Sequence, residues 1–222
     1  MKYFTFLLIF FVSLIFSSAY AQVKRMVKVE TNLGTMIFEL SNQTPNHTAN
    51  FIRLAKKGYF NSYDFNRTIK GFVIQGGETD SAYAAMEKAG QVLERLAPEF
   101  SSSLFHQKGV LAAGRDDNKE KTSFVGQFYI VDGKKYTDAQ LDALEKRNGI
   151  TFSPEARRIY KELGGTPSLD QNYTVFGQLV KGWEVLEQIA GQKKDKSDRP
   201  LTKVKLRVSV LSKKEVIKIN KL

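Results

Sequence analysis

The chain has 222 residues, 42% hydrophobic and 12% aromatic, with 34 Lys/Arg against 23 Asp/Glu and a formal net charge of +11. That is enough apolar side chain for one ordinary core, which excludes a wholly disordered chain. With no Cys and only two widely separated His, His47 and His106, disulfides, thiolate metal sites and a paired-His zinc motif are excluded too, and neither metal nor cofactor is expected.

The first residues depart from the average. Lys2 precedes an almost wholly apolar run over 4–16, and Ala19-Tyr20-Ala21 offers small residues for cleavage. The run is shorter than the ~20 residues a bilayer span needs. Residues 1–21 are therefore read as a signal peptide, leaving a mature chain of 22–222 that is exported, periplasmic or extracellular, with no membrane span. Removing the leader takes away only Lys2, and much of the positive excess lies at the other end, where eleven Lys/Arg face three Asp/Glu from Lys193 onward. No basic run is interleaved with aromatics, so the end, about 212–222, is expected to be a solvated basic tail and nucleic acid is not expected as a partner.

In chain order, strands are expected over 26–30 and 35–40, joined by the turn-forming Asn32-Leu33-Gly34. A helix follows, with Thr44 as N-cap, Pro45 at its first position, an apolar face of Thr48, Phe51, Ile52 and Ala55, and Gly58 as its stop. Short strands are expected over 64–68, 71–75, 109–114, 127–131 and 174–180. Between Asp132 and Ser168 the texture changes. Thr137 opens a capping box with Gln140, and Ser153-Pro154 starts a second helix striped with Ala156, Ile159, Tyr160 and Leu163, so a helical hairpin is inserted over about 133–167. A further helix over 183–190 ends at Gly191, with Trp183 taken as packing, and the alternation of 203–211 marks a last strand. The whole reads as one domain.

Few chemistries suit these residues. Neither Gly76-Gly77 nor Gly164-Gly165 belongs to a phosphate-binding pattern. His47, as a surface residue in the first helical turn, and His106, in a loop, are taken as structural. The informative stretch is Phe65-Asn66-Arg67-Thr68-Ile69-Lys70-Gly71-Phe72-Val73-Ile74-Gln75-Gly76-Gly77, where a guanidinium and an amide alternate with apolar residues over two adjoining strands.

This block resembles the cyclophilin family, whose pattern it matches at the Phe, Arg, Gly, Phe, Gln and both Gly positions. Further pieces follow in family order: Asn50-Phe51, Gly109-Val110-Leu111-Ala112-Ala113, Gly126-Gln127-Phe128-Tyr129-Ile130 and Val175-Phe176-Gly177. The resemblance implies a mainly β fold, a closed antiparallel barrel of about eight strands capped by two helices, with the groove on its outer face. It implies a monomeric peptidyl-prolyl cis/trans isomerase acting on proline-containing peptides and unfolded exported proteins, to assist their folding. Catalytic roles carry over to Arg67 and Gln75, Gln75 holding Arg67 or a substrate carbonyl. Phe72, Val73, Tyr129 and Leu169 would wall the proline pocket. Gly114, Arg115 and Gln127 would hydrogen-bond the peptide backbone, with Tyr173 also in the groove. The chain departs from the family's commonest pattern at Asn66, Val73, Arg115, Tyr129, Tyr173 and, at the groove rim, Ser168. The segment 78–98 does not resemble the family's Gly-rich loop. A sugar on the sequon at Asn66 would sit beside Arg67, which weighs against a glycosylating compartment.

Overall fold

The computed structural model describes residues 24–219. The expected leader, residues 1–21, lies outside the described residues. The chain opens as a hairpin in which β1 (Arg25–Thr31) pairs antiparallel with β2 (Gly34–Leu40), closing at Thr31 opposite Gly34. Thr31 holds the expected turn, its hydroxyl donating to Gly34 O and accepting the Leu33 N–H.

Helix α1 (Pro45–Lys56) begins where expected, but Thr44 does not cap it. The Thr44 hydroxyl is buried without a hydrogen-bond partner among the described residues, and the carboxylate of Glu99 accepts the N–H groups of Asn46 and His47, each at 3.0 Å. A distant anion thus satisfies the free donors of the first turn. Gly58, in the left-handed region at φ 66°, ends the helix as expected.

Next come β3 (Asp64–Thr68) and β4 (Val73–Gly77). The strand expected over 71–75 starts two residues later, because Gly71 at φ 75° still belongs to a turn in which Phe72 N–H donates to Ile69 O. A helix not expected from the sequence, α2 (Asp80–Lys88), is followed by the short pair β5 (Arg95–Leu96) and β7 (Ser123–Phe124), with β6 (Val110–Ala113) between them in sequence. Then follow β8 (Gln127–Val131) and the inserted helices α3 (Asp138–Asn148) and α4 (Pro154–Glu162). The capping box of Thr137 and Gln140 is present. The chain finishes with β9 (Val175–Lys181), α5 (Trp183–Ala190), β10 (Val204–Lys205), β11 (Arg207–Val210) and α6 (Lys213–Ile219).

Nine strands form one antiparallel sheet in the order β10-β3-β4-β8-β6-β9-β2-β1-β11. The single expected last strand is split at Leu206. Its first half pairs with β3 at one edge and its second half with β1 at the other, which makes the sheet a nearly closed barrel. Inside lie Phe38, Phe60, Phe65, Phe128, Ile74, Leu111 and Ile130, with Phe51 and Leu54 of α1 and Leu186 and Ile189 of α5 covering them. These are the two capping helices that were expected. Trp183, partly exposed at the head of α5, lies over Gly109, where a β-carbon would meet its ring at 2.5 Å. The insertion builds a satellite core of Leu141, Phe152, Ala156 and Tyr160. The expected tail is not wholly solvated. Residues 213–219 form α6, whose Val216 is buried, and 220–222 lie outside the described residues.

Candidate active site

Pairing register sets the site before any side chain is considered. Across adjacent strands Arg67 faces Gln75, Gln75 faces Tyr129, and Tyr129 faces Ala112. Residues directly opposite one another project to the same face of a sheet, so the row stands together on one side. That side is the outside of the barrel, because the alternate residues Ile74, Phe128 and Ile130 fill the interior. An outer apolar layer of Val73, Val110, Ala112, Tyr129, Val131 and Val175 forms beneath the row, with Phe72, Leu169 and Tyr173 packed on it.

Over this layer opens a hollow of about 290 Å³. Arg67, Phe72, Val73, Gln75, Gly114, Arg115, Gln127, Tyr129, Leu169 and Tyr173 all line it, so the structure brings every residue expected at the site to one place. Val73 and Tyr129 are buried as its floor, whereas Phe72, Leu169 and Tyr173 are half-buried at its sides.

The polar groups divide into fixed and available ones. Gln127 Nε2 donates to Glu78 O at 3.0 Å and Asp80 Oδ1 at 2.7 Å, which spends its donors and leaves Oε1 as the acceptor. Gln75 Nε2 approaches the same Asp80 oxygen at 3.5 Å, the limit of a hydrogen bond, instead of reaching Arg67. Arg67 is 39% exposed, and its Nε lies a loose 3.9 Å from Asp198 Oδ2.

Gly114 and Arg115 present different groups to the hollow. Gly114 has a paired main chain, its N–H donating to Gln127 O at 3.0 Å and its carbonyl accepting Phe124 N–H at 2.8 Å, so what it contributes is space. Arg115 spends its guanidinium inside the protein, donating to the carbonyls of Asn172 at 2.7 Å and Asp116 at 2.6 Å, and it lies over the Tyr173 ring at 4.9 Å. Its main-chain N–H and C=O have no hydrogen bond among the described residues.

The hollow also has lining that the sequence reading missed: Asp80, Tyr83 and Glu87 from α2, with Asp116 and Phe124 opposite. Tyr83 stacks on Phe124 with ring centroids 3.6 Å apart. Arg95 lies over the Phe124 ring and bridges Asp116 and Glu87, and its hydrogen bonds hold the Asp116 carboxyl below the usual range. The signal for α2 was present in Thr79, which caps the helix through Ala82 N–H, and in Asp80 and Lys88, which suit its two ends.

Both histidines are buried, at most 1% exposed: His47, in the first turn of α1, is not a surface residue, whereas His106 does lie in a loop. His47 binds Glu99 through Nδ1 at 2.6 Å and Ser123 Oγ through Nε2 at 3.1 Å. This order of groups resembles a nucleophile, base and orienter, but Ser123 is itself 1% exposed, so no substrate reaches it. His106 lies directly behind the hollow, its Nε2 at 2.8 Å from the hydroxyl of Tyr129. Asn66 is also buried, and its amide donates to Gly77 O at 2.8 Å, which keeps its sequon from any sugar in the folded chain. Among the described residues no helix is long and apolar enough to cross a membrane.

Comparison with known proteins agrees with this geometry. Residues 26–210 match the family model described as cyclophilin type peptidyl-prolyl cis-trans isomerase. A Staphylococcus saprophyticus protein carrying a peptidyl-prolyl cis-trans isomerase name is 36% identical over 174 residues, which cover 78% of this chain and 84% of that one. A Staphylococcus aureus protein with the same name is 36% identical over 177 residues, covering 79% and 85%. Among solved structures, a Cryptosporidium parvum cyclophilin type peptidyl-prolyl cis-trans isomerase superimposes with a TM-score of 0.62 at 24% identity, over 85% of this chain and 98% of that one. The same parasite protein crystallised in the presence of the dipeptide Ala-Pro gives 0.60, over 84% and 99%.

Proposed function

Since the chain belongs to the cyclophilin-type peptidyl-prolyl cis-trans isomerase family and is an isomerase of that type, we propose that it turns X-Pro bonds in the hollow beneath Arg67, with the guanidinium stabilising the twisted amide. An X-Pro bond rotates through a state without amide resonance, against a barrier of ~18–20 kcal/mol, and unaided exchange takes tens to hundreds of seconds. In that state the prolyl nitrogen regains a lone pair. A donor aimed at it therefore helps the transition state more than the planar ground state. Arg67 suits that role because it is always charged and its N–H groups are not consumed by the protein.

Shortening the exchange to milliseconds takes roughly 5.5–7 kcal/mol off the barrier. One charge-assisted hydrogen bond supplies about 1.5–3 kcal/mol. The remainder is assigned to the walls. Phe72, Val73, Tyr129 and Leu169 hold the proline ring and exclude water, while Gln127 Oε1 and the free main-chain groups of Arg115 anchor the flanking peptide so that one side alone rotates. The observation that carries this reading is the row Arg67, Gln75, Tyr129 standing over a single apolar hollow.

The clients we propose are proline-containing segments of unfolded exported proteins, met by a monomer outside the cytosol. The support is the leader-like composition of residues 1–21. A coupled isomerase assay on an X-Pro peptide, run with wild type and Arg67→Ala side by side, tests the site. Wild-type turnover with a folded but largely inactive Arg67→Ala supports it, and full turnover by the variant overturns it.

A further inference from the structure

The insertion and the hollow share one hydrogen-bonded chain. Tyr160 of α4 is fully buried in the satellite core, and its hydroxyl donates to Asp170 Oδ2 at 2.6 Å. The other carboxylate oxygen, Oδ1, accepts the His106 main-chain N–H at 2.8 Å and faces the ring Nδ1 at 2.7 Å. Nδ1 faces a carboxylate oxygen and so is the donor of that contact, and the tautomer with its proton on Nδ1 leaves a lone pair on Nε2. Tyr129 donates its hydroxyl to that lone pair at 2.8 Å. Burial first, then the nearby Tyr173 and Asp170, keep the Tyr129 hydroxyl protonated.

Every link has a consistent donor, and the chain runs from the middle of the insertion to the floor of the hollow. Asp170 also directly follows Leu169, a side of the same hollow. The base of the insertion touches a third wall, because Gly133 N–H donates to Phe72 O at 3.0 Å. Its return strand is pressed onto His106, since a β-carbon on Gly165 would lie 2.3 Å from His106 O and 2.6 Å from the Tyr160 ring. An aromatic wall held only by packing keeps rotational play; one whose hydroxyl is tied into a buried chain does not.

We propose that the helical insertion positions the proline hollow: Tyr160, acting through Asp170 and His106, fixes the ring of Tyr129, making these three positioning residues for the isomerisation. This rests on the reading of the hollow as the proline site. Small misplacements of groups around a reacting centre are expensive in rate, so loosening the ring lowers kcat/KM without abolishing it.

The test is a double-mutant cycle in the full mature chain, with isomerisation of an X-Pro peptide as the readout and circular dichroism as the check of folding. Tyr160→Phe and Tyr129→Phe each remove one hydroxyl and each should lower kcat/KM about fivefold, while the double variant should be no worse than either single one. A merely structural Tyr160 gives losses that multiply, and that result overturns the proposal. So does a folded Tyr160→Phe with kcat/KM within twofold of wild type. If Tyr160→Phe does not fold, His106→Gln interrupts the same chain nearer the floor, and a folded His106→Gln with unchanged kcat/KM is equally fatal. Arg157→Ala, which unties α4 from Asp138, Asp142 and Glu145 without touching the chain, should leave kcat/KM unaltered. Arg67→Ala in the same assay separates the failures: if it keeps full turnover the site reading falls, and if it is inactive beside a wild-type-like Tyr160→Phe only the positioning role falls.

Discussion

Gly114 lies directly against the side chain of Gln127, so close that a β-carbon at residue 114 would fall 2.0 Å from Gln127 Oε1 and 2.7 Å from its Cδ. Gln127 has no easy retreat, because its amide nitrogen is held by Glu78 O and Asp80. Gly114→Ala therefore pushes the one free acceptor of that amide out of the hollow. The expected result is at least a tenfold loss of kcat/KM, with overpacking lowering stability by about 1–3 kcal/mol. Peptide turnover and urea denaturation read the two effects separately, and an unchanged kcat/KM would count against Gln127 as a substrate acceptor.

Arg67 is the converse case, the residue we propose to act on the prolyl amide, with little structural duty. Its ion pair to Asp198 is long and both side chains are about a third exposed or more, so Arg67→Ala should change stability by no more than about 0.5 kcal/mol. Loss of one charge-assisted bond in the transition state should lower kcat/KM by roughly 10- to 150-fold. Arg67→Lys keeps the charge but not the planar fork, and its turnover should lie nearer to Ala than to wild type.

How much of this was legible beforehand follows from where the information sits. Arg67, Phe72, Val73 and Gln75 fall within nine consecutive residues whose order resembles the family pattern, and period-two geometry then sets Arg67 and Gln75 on one face of their paired strands. Tyr129 and Gln127 were reachable through the resemblance of Gly126-Gln127-Phe128-Tyr129-Ile130 to the family pattern, since Gln127–Val131 is buried along its whole length. The wall formed by α2 was missed despite its end signals at Thr79, Asp80 and Lys88, because residues 80–88 lack an apolar stripe to mark a helix face and Tyr83 is the one buried residue among them. A lone histidine likewise reveals nothing about burial. His47 and His106 owe their positions to Glu99 and Asp170, each more than fifty residues away. Thr44 shows the same limit, as local chemistry favours it as a cap and a distant carboxylate takes the place.

Inside the barrel, Phe128 is 1% exposed and meets Phe51 and Phe60 edge-on, with centroids 5.4 Å away in each case. Phe128→Ala leaves a void that three aromatic rings cannot all close, and should cost about 3–5 kcal/mol. For a chain of this size each kcal/mol lowers Tm by about 2–4 °C, so a fall of roughly 6–20 °C is expected by calorimetry. A fall of a degree or two would show that the core is less tightly filled than described.

Acid should weaken the fold through His47. Burial, only partly opposed by its bond to Glu99, lowers the ring's pKa from the ordinary 6.5, so the unfolded chain binds that proton more readily. Stability is then complete above about pH 6.5 and declines as pH falls toward the lowered value. Glu99 adds to this at lower pH. Burial disfavours its charge, but the N–H groups of His47 and Asn46 outweigh it and depress its pKa, so its contribution is lost as pH falls through that depressed value. His47→Gln removes the first component, so the gap in Tm between wild type and variant should narrow from pH 7 to pH 5. A gap that stays constant would show that the ring does not titrate differently on folding.

The proposed leader is open to direct measurement. Secreted from a bacterial host, the protein should yield a mature N-terminus at Gln22 by mass spectrometry, and a retained Met1 would refute cleavage.

The seam of the barrel has a consequence for biogenesis. Both of its unpaired edges, on β1 and on β3, receive their partner from a single segment near the end of the chain, split at Leu206. Until residues 204–210 dock, β1 and β3 each keep a bare margin with nothing to join them. Closure rests on contacts that span nearly the whole sheet, Val27 with Val210 among them, so loosening this one segment would open both margins at once.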